Sequence, residues 1–136
     1  MKPVFADTSL WIALLNPRDA LHDKAVSVAA KFASAKIFTS EMVLVELLNS
    51  FSESGPRSRQ AAAGLAEVLR ADPRVDVVPQ TPRQFAFALY SYKQAADKSW
   101  SITDCASFQI MHDEQLQAAF TYDKHFTQAG YQALLR

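Results

Sequence analysis

The sequence is poor in glycine and cysteine, has no excess of charge and contains no long apolar run. Only three of its 136 residues are Gly, and no stretch is low in complexity, which excludes collagen-like and linker-like chains. The single cysteine, Cys105, cannot form an internal disulfide, so we expect a reducing compartment, the cytoplasm. The longest apolar run, LWIALL at 10–15, is far shorter than the roughly 20 residues of a membrane span. We therefore expect a globular protein with no membrane contact.

The charges and the histidines exclude two further classes of protein. Fourteen basic residues balance fourteen acidic ones, so the chain lacks the strongly basic character of domains that bind nucleic acid through bulk charge. Any contact with nucleic acid must be local. His22, His112 and His125 are scattered and Cys105 stands alone, which argues against a structural zinc site.

Short β-branched or aromatic segments alternate with longer segments of helical periodicity. The alternation predicts an α/β fold, a single-domain sandwich over residues 1–136 whose short, mostly parallel sheet is flanked by helices. Proline-containing boundaries separate the elements, and segment 52–59 is the most loop-like. The predicted strands are Val4–Ala6, Ile37–Thr39, Val75–Val78 and Ala119–Tyr122. The predicted helical stripes are Leu21, Ala25, Val28, Ala29 and Phe32, and Val43, Leu44, Leu47, Leu48 and Phe51.

Four carboxylates occupy positions that an α/β sheet brings to one edge. Asp7 and Asp123 follow the first and last predicted strands, while Glu46 and Asp104 lie in helices that follow such strand ends. Each has a structural explanation by itself: a helix cap or turn for Asp7 and Asp123, the margin of a stripe for Glu46, and a first-turn acid for Asp104. Ser101 or Thr103 would cap that last helix.

Taken together, the four acids favour a metal site. Four like charges at one edge would repel one another unless a cation neutralises them. Mg²⁺ and Mn²⁺ prefer such all-oxygen ligands and keep further positions for phosphate oxygens. Paired metals of this kind hydrolyse phosphodiester bonds, although the chemistry alone does not distinguish RNA from DNA.

The four segments that carry these acids resemble the motifs of a known family. VFADTSLWIALLN, SEMVLVELLN, SITDCASF and FTYDKHF are similar, in this order, to the motif regions of PIN-domain ribonucleases, and most similar to the VapC-type toxins of bacterial toxin–antitoxin pairs. Cys105 stands where that family more often has a small residue such as Ala. The resemblance implies a catalytic and metal-binding set of Asp7, Glu46, Asp104 and Asp123, with Thr8, Ser101 and Thr103 supporting it.

The resemblance also implies an Mg²⁺- or Mn²⁺-dependent endoribonuclease that forms a homodimer and is inhibited by a small antitoxin protein covering the active site. The alternatives are a catalytically inactive PIN-like scaffold, and a phospho-receiver domain, which the isolated position of Asp7 disfavours. For the RNA substrate we select basic residues that could equally be solvated surface charges: Arg18, Lys24 and Lys124, with Arg57 and Arg59.

The remaining aromatic residues and His125 have structural interpretations. We expect the aromatic side chains in the core or at a dimer interface rather than as base-stacking platforms. His125 could face a phosphate, but a histidine in a turn is more often structural. The aromatic residues are Trp11, Phe85, Phe87, Tyr90 and Tyr92.

Overall fold

The computed structural model describes residues 1–136 and contains five strands and seven helices. The strands are β1 (Val4–Ala6), β2 (Ile37–Ser40), β3 (Val75–Val78), β4 (Ala118–Phe120) and β5 (Gln132–Ala133). The helices are α1 (Thr8–Leu15), α2 (His22–Lys31), α3 (Glu41–Ser50), α4 (Pro56–Ala71), α5 (Pro82–Gln94), α6 (Ile102–Asp113) and α7 (Lys124–Gln128).

The strands form one parallel sheet in the order β3-β2-β1-β4-β5. The central strand, β1, pairs Phe5 with Phe38 of β2 on one side and with Ala119 of β4 on the other. All strands therefore end at the same edge of the sheet, where α1, α3 and α7 begin. The predicted α/β sandwich with a parallel sheet is confirmed.

The core lies around the central strands. A cluster of 21 buried hydrophobic residues extends from Val4 to Leu135. Phe5, Phe120 and Phe126 are its largest fully buried side chains, and each contributes about 1.5–3 kcal/mol of transfer free energy. The ring of Phe108 meets that of Phe126 edge to face, with 4.9 Å between centroids. This packing holds α6 and α7 beside the ends of β1 and β4.

Two strand predictions need correction, and one strand was not predicted. The strand predicted at Ala119–Tyr122 is Ala118–Phe120, and it is not the last one, because β5 follows it. β5 was missed because its two residues have no strand propensity of their own and pair through the backbone. The strand Val75–Val78 was expected to be buried, but it is only partly so because it forms one edge of the sheet.

The predictions for segment 52–59 and for Leu48 need correction, whereas the prediction that the aromatic residues lie in the core or at an interface stays open for those on α5. The loop-like segment 52–59 gives way to α4 at Pro56, since proline fits the first position of a helix. The side chain of Leu48 leaves the predicted stripe and is exposed. Of the aromatic residues expected in a core or interface, only Trp11 is buried. The four on α5, Phe85, Phe87, Tyr90 and Tyr92, are between 41 and 64% exposed. None of the helices combines the length and the apolar character needed to cross a membrane.

Candidate active site

Asp7 lies at the end of β1, and its carboxylate is turned into the protein. It occupies the N-cap position of α1, but its side chain makes no capping hydrogen bond, so the capping explanation is wrong. Instead, Thr121 Oγ1 donates a hydrogen bond of 2.9 Å to Asp7 Oδ2. The same Thr121 oxygen accepts a bond of 3.0 Å from the Asp123 backbone N–H. Thr121 thus joins the first and the last of the predicted acids.

Asp104 is both a helix-capping residue and a member of the site. Its Oδ2 accepts the Ser101 backbone N–H at 3.0 Å, and Ser101 Oγ accepts the Asp104 backbone N–H at 3.0 Å, which completes a capping box. The cap is therefore Ser101 and not Thr103. The same carboxylate oxygen lies 2.9 Å from His125 Nδ1.

Asp123 and His125 lie on the turn that opens α7. Asp123 Oδ1 accepts the His125 backbone N–H at 2.9 Å, so the capping explanation of Asp123 is correct. The His125 ring turns back toward the same oxygen, with 3.1 Å between Nδ1 and Oδ1. One imidazole nitrogen therefore lies against the carboxylates of both Asp104 and Asp123.

Glu46 approaches this group from α3. Its side chain is partly buried and lines a cavity of about 260 Å³ that Thr103 lines from α6. Its charge makes the smallest of the contributions that raise the pKa of Asp7. Glu46 therefore fits both interpretations of the sequence: it lies on the margin of the helix stripe and also at the edge of a cavity.

The acids share one electrostatic environment. Burial, together with the charges of Asp104 and Glu46, raises the pKa of Asp7 to about 7, although hydrogen bonds with the Thr8 backbone and the Thr121 hydroxyl act in the opposite direction. Burial also raises the pKa of Asp104, and the charge of Asp123 adds to that rise, while the bonds with Ser101 and His125 oppose it. Asp7, Glu46, Asp104 and Asp123 are therefore linked in a chain of mutual repulsions.

This environment suits a divalent cation. Potential ligand atoms of Asp104, Asp123 and His125 lie within 4.8 Å of one another. Next to Asp7, the hydroxyl of Thr8 is buried and has no hydrogen-bond partner. Burying a carboxylate without a counter-charge, or a hydroxyl without a hydrogen-bond partner, costs free energy. Carboxylate oxygens are the ligands that Mg²⁺ and Mn²⁺ prefer. This group keeps Asp104 and Asp123 of the four predicted acids and adds the imidazole nitrogen of His125, but it does not include Asp7 or Glu46.

Sequence reasoning missed His125 and Thr121. His125 was interpreted as structural because a single histidine carries little information. The sequence feature that indicates its role is the spacing Asp-Lys-His. Asp123 caps the helix, and the imidazole two residues later lies against the carboxylate of that capping residue. The signal for Thr121 is its position two residues before Asp123, on the inward face of the extended chain.

The predicted substrate-binding residues are less clustered than the acids. Arg18, Arg57, Arg59 and Lys124 are exposed, and among them only Lys124 is adjacent in sequence to a site acid. Lys24 Nζ donates a hydrogen bond of 2.8 Å to the main-chain oxygen of Arg136, a further basic residue.

The chain is similar to known nucleases along almost its whole length. The family model described as PIN domain matches residues 4–130. The 23S rRNA-specific endonuclease VapC20, from two strains of Mycobacterium tuberculosis, is 32% identical over 94% of this chain and 95% of its own length.

Solved structures agree with these sequence matches. The crystal structure of M. tuberculosis VapC20, a Sarcin-Ricin loop cleaving toxin, matches with a TM-score of 0.82 at 28% identity, over 94% of this chain and 95% of that one. FitAcB from Neisseria gonorrhoeae matches at 16% identity with a TM-score of 0.65, over 98% of this chain and 96% of that one, which shows the fold alone. PIN domains are metal-dependent nucleases that act on phosphodiester bonds. The predicted resemblance is confirmed: the chain belongs to the PIN domain family.

Proposed function

We propose that this chain is an endoribonuclease that hydrolyses RNA phosphodiester bonds with Mg²⁺, for which Mn²⁺ can substitute. One observation carries the proposal: Asp104, Asp123 and His125 converge beside the buried Asp7, at the edge of a PIN-type sheet where the strands end. The similar protein VapC20 is an endonuclease specific for 23S rRNA, which supports RNA as the substrate.

The carboxylates of Asp7, Glu46, Asp104 and Asp123 hold the metal in this proposal. When bound, divalent metals activate water and neutralise charge on the phosphate oxygens. The chain itself orients the ligands: the Thr121 hydroxyl holds Asp7, and the capping box with Ser101 holds Asp104. Thr8 and Thr103 line the same region as supporting residues, since the Thr8 hydroxyl is buried and Thr103 faces the Glu46 cavity.

The substrate approaches from the solvent side of this edge. Arg18, Lys24 and Lys124 are exposed and remain candidate contacts to the phosphate backbone. Because the net charge of the chain is zero, such contacts act locally and favour a selective substrate.

The biological role in this proposal is that of the toxin of a toxin–antitoxin pair. Residues 1–136 form one domain in the cytoplasm, which suits the free thiol of Cys105. The small antitoxin covers the active site, and a groove between α3 and α4 beside Glu46 offers apolar contacts to it. Its lining residues are Glu41, Leu44, Val45, Leu48, Ala63, Ala66, Glu67 and Arg70.

The exposed large side chains of α5 are the proposed homodimer interface. They lie on a helix that contacts α6 but leaves most of its surface uncovered. Apolar area of this kind is energetically favourable to bury against a second copy. The side chains are Phe85, Phe87, Leu89, Tyr90 and Tyr92.

The test is cleavage of total cellular RNA by the purified protein with Mg²⁺, with Mn²⁺ and with EDTA, together with calorimetry of Mn²⁺ binding. We expect discrete RNA fragments with either metal, none with EDTA, and saturable binding of Mn²⁺. A folded protein that binds no divalent metal at neutral pH and leaves RNA intact would contradict the proposal and favour the inactive scaffold.

A further inference from the structure

An aromatic ring and an arginine lie together beside the acidic site. Tyr122 stands between Thr121, which holds Asp7, and Asp123, and its side chain is 50% exposed. The Arg136 guanidinium lies over the Tyr122 ring, with 5.1 Å between Cζ and the ring centroid. Arg136 Nη1 also donates a hydrogen bond of 2.9 Å to the Tyr122 carbonyl. The pair is therefore fixed to the same stretch of chain that presents Asp123.

The backbone explains why this ring faces outward. Thr121 and Tyr122 continue the extended chain of β4, in which successive side chains point to opposite faces. Since Thr121 points inward to Asp7, Tyr122 points away from the core. The Leu135 N–H donates to the Thr121 carbonyl at 3.0 Å, which brings Arg136 to this place. Lys24 Nζ adds a second cation by bonding to the main-chain oxygen of Arg136.

A tyrosine and an arginine on a protein surface can also be simple packing. The protein contains two other cation–aromatic pairs, Lys36 with Phe38 and Arg83 with Phe87, and neither lies beside the site acids. The Tyr122–Arg136 pair differs from them in its direct connection to Asp123. In a chain with no net charge, it also places cationic groups where a negatively charged substrate must arrive.

We propose that Tyr122 and Arg136 bind one nucleotide of single-stranded RNA next to the bond that is cut. The base stacks on the Tyr122 ring, and the remaining guanidinium donors of Arg136 bind a phosphate. Single-stranded RNA is the fitting class, because its bases are free to stack on an exposed ring whereas those of a duplex are not. This inference rests on the proposed endoribonuclease function and names how its substrate is held.

The experiment measures binding of a short fluorescein-labelled single-stranded RNA of mixed sequence by anisotropy, with Ca²⁺ in place of Mg²⁺ to suppress cleavage. Tyr122→Leu should weaken binding about tenfold, whereas Tyr122→Phe, which keeps the ring, should bind like the wild type. Arg136→Gln should reduce the slope of log K against log salt by about 0.7, the value for one phosphate contact on a single strand. Lys36→Gln removes the same charge from another cation–aromatic pair and should leave the slope unchanged.

RNA cleavage with Mg²⁺ in the same preparations separates this inference from the proposed function. For both Tyr122→Leu and Arg136→Gln, we expect a raised KM with kcat within about twofold of the wild type, because these residues bind the RNA without touching the metal ligands. Wild-type protein that cleaves RNA, with variants that bind and cleave as it does, would overturn the inference alone. Failure of the wild type to bind the RNA would overturn it as well, and binding without cleavage would overturn the proposed function instead.

Discussion

Two regions of the molecule depart, in opposite directions, from the usual distribution of buried and exposed residues. One is the edge of the sheet where the strands end, and the other is the outer surface of α5. At the sheet edge, the charged Asp7 and Asp104 are buried. On α5, apolar side chains such as Leu89 and Tyr90 face water. Charged residues are almost never fully buried without a partner, and an apolar patch on the surface usually marks a contact.

The two departures indicate two kinds of missing partner. The buried acids are already held by internal hydrogen bonds from Thr121, Ser101 and His125, so what they lack is positive charge beyond that of one imidazole. The α5 side chains have no polar network and lack only apolar surface. The comparison therefore predicts that a metal ion completes the first region and a protein surface completes the second. A substitution in one region should therefore leave the other in place.

Asp104→Asn should have the largest effect. Asparagine keeps an acceptor for the Ser101 N–H, so the helix cap survives, but it removes a negative charge from the proposed metal site. Loss of one charge-stabilising group in an active site lowers kcat by about 10²–10³-fold, and we expect RNA cleavage to fall by at least that much. The matched control is Asp113→Asn, an exposed acid at the other end of α6, which should cleave RNA normally. Equal activity in the two variants would remove Asp104 from the site.

The stability of the metal-free protein should fall as pH rises. The pKa of Asp7 is about 7 in the folded protein and near 3.8 in the unfolded chain, so the folded state binds the proton more tightly. Its contribution to stability is fully present below about pH 4 and is lost as pH rises through about 7. Within that window the free energy of unfolding should decrease by about 1 kcal/mol per pH unit. Urea unfolding in EDTA at several pH values measures this.

Two comparisons test the cause of that pH dependence. Asp7→Asn cannot ionise, so it should show a flatter profile and be more stable than the wild type at pH 8. Saturating Mg²⁺ should stabilise the wild type most at pH 8, since metal binding needs the ionised carboxylates. If the free energy of unfolding of the wild type in EDTA increased between pH 4 and 7, the burial of an Asp7 without a counter-charge would be contradicted.

The layout of the fold was predictable because it depends on local pattern. β1, with Val4, Phe5 and Ala6 all buried, is recognisable as a central strand from its residues alone. β5 was not predictable, because Gln132 and Ala133 pair with β4 only once the chain brings them there. For the same reason, the sequence does not distinguish a core position from an interface position for the aromatic residues of α5: an aromatic residue at helical spacing does not reveal what covers it.

Strand order predicts that Asp7, Glu46, Asp104 and Asp123 lie at one edge of the sheet. Asp104 and Asp123 converge there with His125, whereas a shared metal-binding role for all four acids stays a prediction. The Ser101 cap was predictable from local sequence, but the longer-range contacts were not. The bond from Thr121 to Asp7 joins residues 114 positions apart in the sequence, and no local pattern specifies it. Arg136 was overlooked for a similar reason, since its approach to Tyr122 depends on how segment 134–136 pairs beside β4.

Leu89→Asp tests the second region. Its side chain is 49% exposed on α5, and a carboxylate there would lose hydration in any interface formed by this helix. If α5 forms the homodimer, we expect the dimer dissociation constant to rise about a hundredfold or more, with the monomer fold unchanged, as measured by light scattering after size exclusion. Val68→Asp, on α4 and 61% exposed, should leave the dimer intact. A wild type that is monomeric at micromolar concentration would reject the α5 interface.

Thr8→Val should have the smallest effect of these variants, and the direction in which it changes stability and metal affinity is the informative result. The Thr8 hydroxyl is buried without a hydrogen-bond partner, so replacing it with a methyl group should stabilise the metal-free protein by about 1 kcal/mol. The matched control is Thr39→Val, whose buried hydroxyl donates to the Ala6 carbonyl at 2.9 Å and whose loss should destabilise the protein by a similar amount. If the Thr8 hydroxyl supports a bound metal, the same variant should bind Mn²⁺ about tenfold more weakly by calorimetry. Gain of stability with unchanged metal affinity would make Thr8 a packing residue, whereas opposite changes in the two quantities would show that its orphaned hydroxyl is retained for the site.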